Sequence, residues 1–443
     1  MHPRFASGVC TFCLIALTPL AAQEPVLLAE RFVNGYEYRV QTRVDLTGDL
    51  NVPVDKDKPP QKVKMTGRST IDYDERVLVT DGRAADQKTI RHYRNIDFRR
   101  TVADRPQEIS LRPGVRRLVV MKKGHAKVPF SPDGPLTWNE IDMLRTDIFI
   151  PELAGLLPGR AVRPGDTWPV RDATIIELTD LGKIEKGGLT AKYEIEENIG
   201  GRKVAHITLT GDLTGVNEDG PNRQKLTGRM YFDLKGEYIS YLSINGESLM
   251  LDKEGVITGR IAGEYVMVRR MMPRNEYLSD AALAKINVEP SADNTLLLYE
   301  ETDLGVKLLH PRRWRIGRVA RGQITLDEAN GSGLLITIEP LKRVPTADAY
   351  LRESHDFLTK QKTRINRVSQ PTRLQNEPNE VEQFHFGAVM SDQQVVMDYL
   401  VVRQPNAGAT FAARILESDR ESLMKEVERM ARTLTLTRKL EAN

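Results

Sequence analysis

The chain has 443 residues, of which 40% are apolar and 28% charged, and its formal net charge is +3. At roughly 100–200 residues per domain this length predicts two or three domains, and the composition argues against both a membrane-embedded and a disordered chain. A near-neutral charge gives no general attraction to nucleic acid or anionic lipid, so no nucleic-acid partner is expected.

Residues 1–22 read as a secretory signal. Arg4 precedes an apolar run from Val9 to Leu20, which has the length of a signal core and is too short to span a bilayer. Leu20-Ala21-Ala22 supplies small residues for cleavage before Gln23. The mature chain is therefore expected to be exported, periplasmic or extracellular, with no transmembrane segment. Cys10 and Cys13 are the only cysteines and would leave with the leader. Disulfides, thiol nucleophiles and cysteine metal sites are then all excluded.

A β-rich domain is expected over 24–270. In Tyr36–Leu46 one face carries Tyr36, Tyr38, Val40, Thr42, Val44 and Leu46, and the other is polar, as in a half-buried antiparallel strand. The proline-rich run 51–61 reads as a hairpin loop, and alternation resumes from Val63 to Tyr73. Further strands are expected near 76–80, 88–102 and 115–123. Thr137-Trp138-Asn139-Glu140 matches a capping box, and Ile141, Leu144 and Ile148 follow at helical spacing, so a short covering helix is placed at about 138–147. The stretch 155–168, GLLPGRAVRPGDTW, then reads as a seam within this domain, anchored by Leu157 and Trp168. After Trp168 further strands are expected, with turns at Gly187-Gly188, Gly200-Gly201, 217–222, Lys235-Gly236 and 252–255 and a last strand over 257–268. Gly228, Gly259 and Gly263 fall inside strands and suggest bends in a strongly curved sheet.

Residues 271–295 read as a linker, and a second, α+β domain is expected over 296–437. Strands are placed at 296–301, 305–309, 314–319, 322–327 and 333–339. A helix capped by Thr346 runs to about Arg364, with Tyr350, Leu351, Phe357 and Leu358 on one face. Four strands follow between 367 and 416. The closing helix has the capping-box pattern Ser418-Asp419-Arg420-Glu421 and a face of Leu423, Val427, Met430 and Leu434.

Tyr299, the segment DLGVKLLHPRRWRI (303–316), the long helix, the hairpins and the amphipathic closing helix resemble the PsbP-type α/β/α sandwich. In the telling part, Gly305…His310-Pro311…Trp314, Pro311 ends a strand and Trp314 plugs the sheet. The resemblance implies a binding or accessory module and brings no catalytic residues. Leu157-Pro158 followed by Gly165-Asp166-Thr167-Trp168 is similar to uncharacterised secreted β proteins of envelope-rich bacteria such as planctomycetes. The long meander more weakly resembles LolA/LolB-type lipoprotein carriers. The fold class expected is thus α+β, mostly β: a large curved antiparallel sheet domain followed by a PsbP-like sandwich.

Chemistry-bearing motifs are scarce. His92, His125, His206, His310, His355 and His385 are scattered, with no HExxH. DEANGSG (327–333) lacks the alternating carboxylates of a calcium loop, and no G-x-S-x-G or Walker motif occurs. Glu196-Glu197 and Glu300-Glu301 are adjacent, so in a strand they point to opposite faces and make poor acid/base pairs. No catalytic residue, metal ligand or cofactor is assigned. Arg312, Arg313, Arg315, Arg318 and Arg321 form the densest basic run. They are a candidate anion or partner patch, although one solvated strand face explains them as well, with Trp314 anchoring the other side; Arg269, Arg270 and Arg274 read similarly. The expectation is an exported, non-catalytic binding or scaffolding protein of the cell envelope, whose partner is an unknown envelope protein or an apolar ligand. One alternative is a carrier that holds a lipid or lipoprotein acyl chain on the apolar face of the large sheet; another is a hydrolase without a recognisable motif.

Overall fold

The structure is a computed structural model that describes residues 24–52, 60–80, 86–124, 126–145, 147–272, 275–376 and 379–441. The expected leader, most of the 51–61 loop, His125 and Arg274 lie outside the described residues. The protein is α+β and mostly β.

Period-two sequence gives long strands, and these build one twelve-stranded antiparallel sheet. From one edge its order is Ala126–Phe130, Arg117–Lys123, Asp86–Val102, Gln61–Thr80, Glu37–Val52, Ile257–Met271, Tyr238–Leu251, Gly220–Asp233, Arg202–Asn217, Lys183–Ile199 and Thr167–Pro169; Arg105–Ser110 also pairs with Asp86–Val102. Two meanders therefore meet where Glu37–Val52 pairs with the last strand, Ile257–Met271, with Leu46 opposite Gly263. Alternation assigns the faces: Tyr38, Val40, Ile71, Tyr73, Ile207, Met230 and Met267 are buried on the inner one.

The inner face is concave for a reason visible in the register. Leu189, Gly211, Leu226, Gly246, Gly263, Leu46 and Gly67 are successive cross-strand partners in one row over seven strands. Leucine side chains lie over the glycines. A Cβ on Gly263 would stand 2.5 Å from Leu46 Cδ2, so the curl of the sheet depends on the missing side chain.

The segment between the meanders covers this face. Its first helix, Trp138–Arg145, forms the expected capping box: Thr137 Oγ1 accepts from Glu140 N–H at 3.2 Å, and Glu140 Oε2 from Thr137 N–H at 2.8 Å. A 3-10 turn, Ile150–Leu156, and a second helix, Asp172–Thr179, complete the cover. In the seam, Trp168 is 5% exposed and Leu157 7%, and the Trp168 indole N–H donates to Leu156 O at 2.9 Å. Val162 pairs with Val26, and Trp168 with Ala191, so the seam is stitched to the sheet at one end and to the amino-terminal segment at the other.

Several expectations need correction. The Asp172–Thr179 helix is a second cover helix where the sequence predicts one short covering helix and further strands after Trp168. Gly187-Gly188 is no turn but lies inside Lys183–Ile199, beside a register shift between Ile184 and Lys186. Gly187 has φ +83°, and a Cβ there would meet Asp212 O at 2.1 Å, so glycine is required by close approach. The Ser418 capping box does not form: Glu417–Asp419 is a 3-10 turn, and the closing helix starts at Arg420 without a side-chain cap. The Thr346 cap does form, but its helix ends at Lys360, and Phe357 is 59% exposed instead of facing inward.

Residues 275–295 are strapped to the large sheet. Leu278 is buried with Ile90, Val119 and Phe130, and Arg76 donates to Leu278 O at 2.7 Å. Beyond them an eight-stranded antiparallel sheet runs Trp314–Ala320, Gln323–Glu328, Gly333–Glu339, Gly408–Leu416, Gln393–Arg403, Glu380–Met390 and Arg364–Val368, with Thr372–Gln375 also on Glu380–Met390. The Arg420–Thr433 helix packs Leu423, Val427 and Met430 onto the face holding Leu400 and Val402. The Ala347–Lys360 helix packs Leu358 onto the opposite face, with Phe384, Phe386 and Tyr399. Leu297–Glu301, Val306–His310 and Thr435–Leu436 form a small third sheet. It abuts the residues just before the first cover helix, Leu298 N–H donating to Leu136 O at 2.7 Å, and from the eight-stranded sheet the Arg315 guanidinium lies 3.8 Å from the Trp138 ring centroid.

Candidate functional site

The cover does not fill the hollow of the large sheet. A cavity of about 920 Å³ remains between them, near the upper end of the range of about 300–1,000 Å³ usual for small-molecule sites. Val44, Leu46, Leu226, Ile244 and Ile261 line it from the sheet, and Ile141, Leu144 and Leu178 from the cover. Gly246 and Gly263 of the leucine–glycine row lie on its floor. The inner-face residues farther out, Leu50, Val63 and Met65, are only partly buried, so apolar surface continues past the cover.

Charged side chains on the inner face pin the cover in place. Arg91, 2% exposed, donates from Nε to Glu75 Oε1 at 2.9 Å, from Nη1 to Asp147 Oδ2 at 2.7 Å and from Nη2 to Ile148 O at 3.0 Å. Tyr93 donates its hydroxyl to the same Asp147 oxygen at 2.9 Å. Burial pushes the Asp147 carboxyl above its ordinary range despite Arg91 beside it. Burial opposes the charge on Arg91, but Glu75, Tyr73 and Asp147 together hold it protonated.

A second knot sits beside the first. Lys122 Nζ donates to Glu152 Oε2 at 2.9 Å and Glu177 Oε2 at 3.0 Å, and Lys127 Nζ to Glu177 Oε1 at 2.8 Å. Burial would raise the Glu177 carboxyl, but Lys127 and Lys122 hold it below its ordinary value. Arg269 and Glu30, both 1% exposed in their side chains, form a third buried pair at the sheet centre. These groups neutralise one another; the first two knots fasten strand to cover, and the third ties the sheet to the amino-terminal segment. None presents a free base beside a nucleophile, so the geometry is that of a clamp around a hollow.

The five arginines singled out in the sequence do not share one surface. Arg313 is paired with Glu426 at 2.6 Å, and Arg315 stacks on Trp138. Arg318 and Arg321 are exposed at the Trp314–Ala320 hairpin. Arg312 turns the other way, toward the large sheet, and lines the cavity. Trp314 is fully buried, and its indole N–H donates to Glu426 Oε2 at 2.8 Å.

The histidines stay apart. His206 Nδ1 lies 2.8 Å from Glu197 Oε1, His385 Nδ1 lies 3.2 Å from Ser369 Oγ, and His92 stacks on Tyr277. Among the described residues, no group of three or more His, Cys, Asp or Glu side chains is placed to hold a metal ion, and no helix is long and apolar enough to cross a membrane. Arg91, Lys122, Asp147 and Glu177 were not anticipated from the sequence. The usable signal was a charged residue at an inward position of a strand, as in Thr89-Arg91-Tyr93 and Val120-Lys122.

No family model and no curated protein matches the chain. Among solved structures it is weakly similar to the Ran-binding protein Mog1p of Saccharomyces cerevisiae, at 9% identity, over 32% of this chain and 96% of that one, with a TM-score of 0.26. It is similar to the cyanobacterial PsbP (CyanoP) of Synechocystis sp. PCC 6803 at 12% identity, over 32% of this chain and 92% of that one, with a TM-score of 0.26. A third weak likeness, to lipovitellin, has 10% identity and a TM-score of 0.29 and covers 56% of this chain and 26% of that one.

Proposed function

We propose that this chain is an exported, non-catalytic binding protein of the cell envelope that carries a lipid or other long-chain molecule in the hollow of its large sheet. The observation that carries the reading is the cavity of about 920 Å³ between an apolar, glycine-creased sheet face and a clamped cover. The cover is held by buried ion pairs around the hollow, and the apolar wall runs beyond it, which suits a molecule longer than the enclosed space. The carboxy-terminal sheet, with one helix on each face, is read as a PsbP-like accessory module that closes one end of the site. Export is inferred from the apolar run between Val9 and Leu20.

Native mass spectrometry of the full chain after mild purification tests the proposal. The expected result is an adduct of lipid mass that disappears on delipidation and returns on adding an alkyl-chain probe. A clean apo mass that accepts no such probe would contradict it.

A further inference from the structure

The cavity has a chemically distinct end, and one arginine marks it. Five cationic side chains line the hollow: Arg91, Lys122, Lys127, Arg145 and Arg312. Arg91 is paired with Glu75 and Asp147, Lys122 with Glu152 and Glu177, Lys127 with Glu177, and Arg145 with Glu218. Arg312 alone among them makes no ion pair among the described residues. It donates from Nε to Thr295 O at 3.0 Å and from Nη2 to Pro129 O, and its third nitrogen, Nη1, makes no hydrogen bond among the described residues. Pro129 is itself a lining residue on the edge strand, which sets the guanidinium at the end of the hollow nearest the second sheet.

An unpaired guanidinium withdrawn from water is costly, and an anion placed against it offsets that cost. Burial alone, with no carboxylate near enough to counter it, pushes Arg312 down to about 10. Five of the acids on the cavity wall are paired with other cations: Glu218 with Arg145, Glu177 with Lys122 and Lys127, Asp147 with Arg91, Glu247 with Arg260 and Glu264 with Arg43.

We propose that Arg312 receives the anionic head of the cavity's ligand, a carboxylate or phosphate on a long alkyl chain, while the chain lies along the leucine–glycine floor. This rests on the reading of the hollow as a lipid site. It also gives the second sheet a part in the site, because Arg312 reaches the cavity only while that sheet is docked.

Three probes with the same alkyl chain separate the possibilities: palmitate, 1-hexadecanol and hexadecyl phosphate, titrated against the full delipidated chain at low salt. Hydrogen bonds to charged groups are worth about 1.5–3 kcal/mol, and about 1.4 kcal/mol is tenfold. Palmitate or hexadecyl phosphate is therefore expected to bind at least about tenfold more tightly than hexadecanol, and whichever of the two is tighter identifies the head as carboxylate or phosphate. Arg312→Gln is expected to erase that preference, whereas Arg312→Lys retains most of it. Should Arg312→Gln lose all three probes, Arg312→Lys decides: a kept preference supports the assignment, and a lost one overturns it. Equal binding of the three by the unaltered chain, or an Arg312→Gln variant with an undiminished preference, overturns the assignment and leaves the lipid site standing. If none of the probes binds the unaltered chain, the lipid site itself is wrong.

Discussion

Asp398 is a buried carboxyl with no ion pair among the described residues, and its replacement gives a signed, pH-dependent prediction. It lies fully buried on Gln393–Arg403, where Gln383 Nε2 donates to its two oxygens at 2.9 and 3.0 Å. Burial, reinforced by Glu428 and only partly relieved by the Gln383 hydrogen bonds and Arg420, pushes it up to about 7 from 3.8. A carboxyl raised in the folded state binds its proton more tightly there than in the unfolded chain. It therefore costs nothing below about pH 4, costs progressively more as pH rises from about 4 to about 7, and exerts its full penalty above that. Roughly three pH units at about 1.4 kcal/mol each make that penalty about 4 kcal/mol at pH 8. Asp398→Asn removes the ionisable proton and keeps an oxygen to accept from Gln383. Calorimetric unfolding from pH 4.5 to 8.5 should show the variant close to the parent at the acid end and more stable by a few kcal/mol at pH 8. A difference between the two that stays flat across that range, or a variant less stable at pH 8, would refute the reasoning.

Other perturbations address the clamp and the cover. Arg91→Ala strands Glu75 and Asp147 without their cation, and breaking a buried pair from one side costs about 3–5 kcal/mol, measurable by urea unfolding. Trp168→Ala empties the seam and removes the hydrogen bond to Leu156 O; removal of a buried Trp side chain costs about 3–5 kcal/mol, and calorimetry should show the loss. Thr137→Ala breaks one arm of the capping box and should cost about 1 kcal/mol by the same measurement.

Local signals in the sequence translated well. The Thr137–Glu140 capping box needs only four consecutive residues, and it forms. The alternation in Tyr36–Leu46 assigns the faces of its strand, with Tyr38 and Val40 fully buried. Val44 and Leu46 on the same face are only half-buried, because they border a hollow that periodicity cannot reveal. The Asp172–Thr179 helix was hidden by composition: Thr174, Ile175, Ile176 and Thr179 are β-branched, and a short run of them reads equally as strand. Phe357 failed for a geometric reason. The inward stripe of its helix is Ala347, Leu351, Ser354 and Leu358, and Phe357 lies a quarter turn or more off it.

The candidate site was less legible because its pieces pair across the fold. Arg91 and Lys122 stand at inward strand positions, which alone signals a buried charge. Their partners Asp147, Glu152 and Glu177 come from irregular connections and the second cover helix, whose placement no local pattern specifies. The basic run 312–321 shows the same limit. Strand alternation separates Trp314 from its neighbours, but only the docking of the two sheets turns Arg312 toward the cavity and leaves Arg318 and Arg321 in solvent.

Filling the hollow tests the central claim most directly. Gly246 lies on the cavity floor with an ordinary backbone conformation, and a Cβ there would meet only the mobile end of Leu226, at 3.1 Å from Cδ2. Gly246→Leu should therefore fold and place its side chain where the ligand's chain would lie. Titration of the parent and this variant with an environment-sensitive fluorescent fatty-acyl probe is expected to give saturable binding to the parent and at least about tenfold weaker binding to the variant, a loss of about 1.4 kcal/mol or more. Equal affinity of the two folded proteins for the probe would contradict the account, since the cavity would then not be where the chain binds.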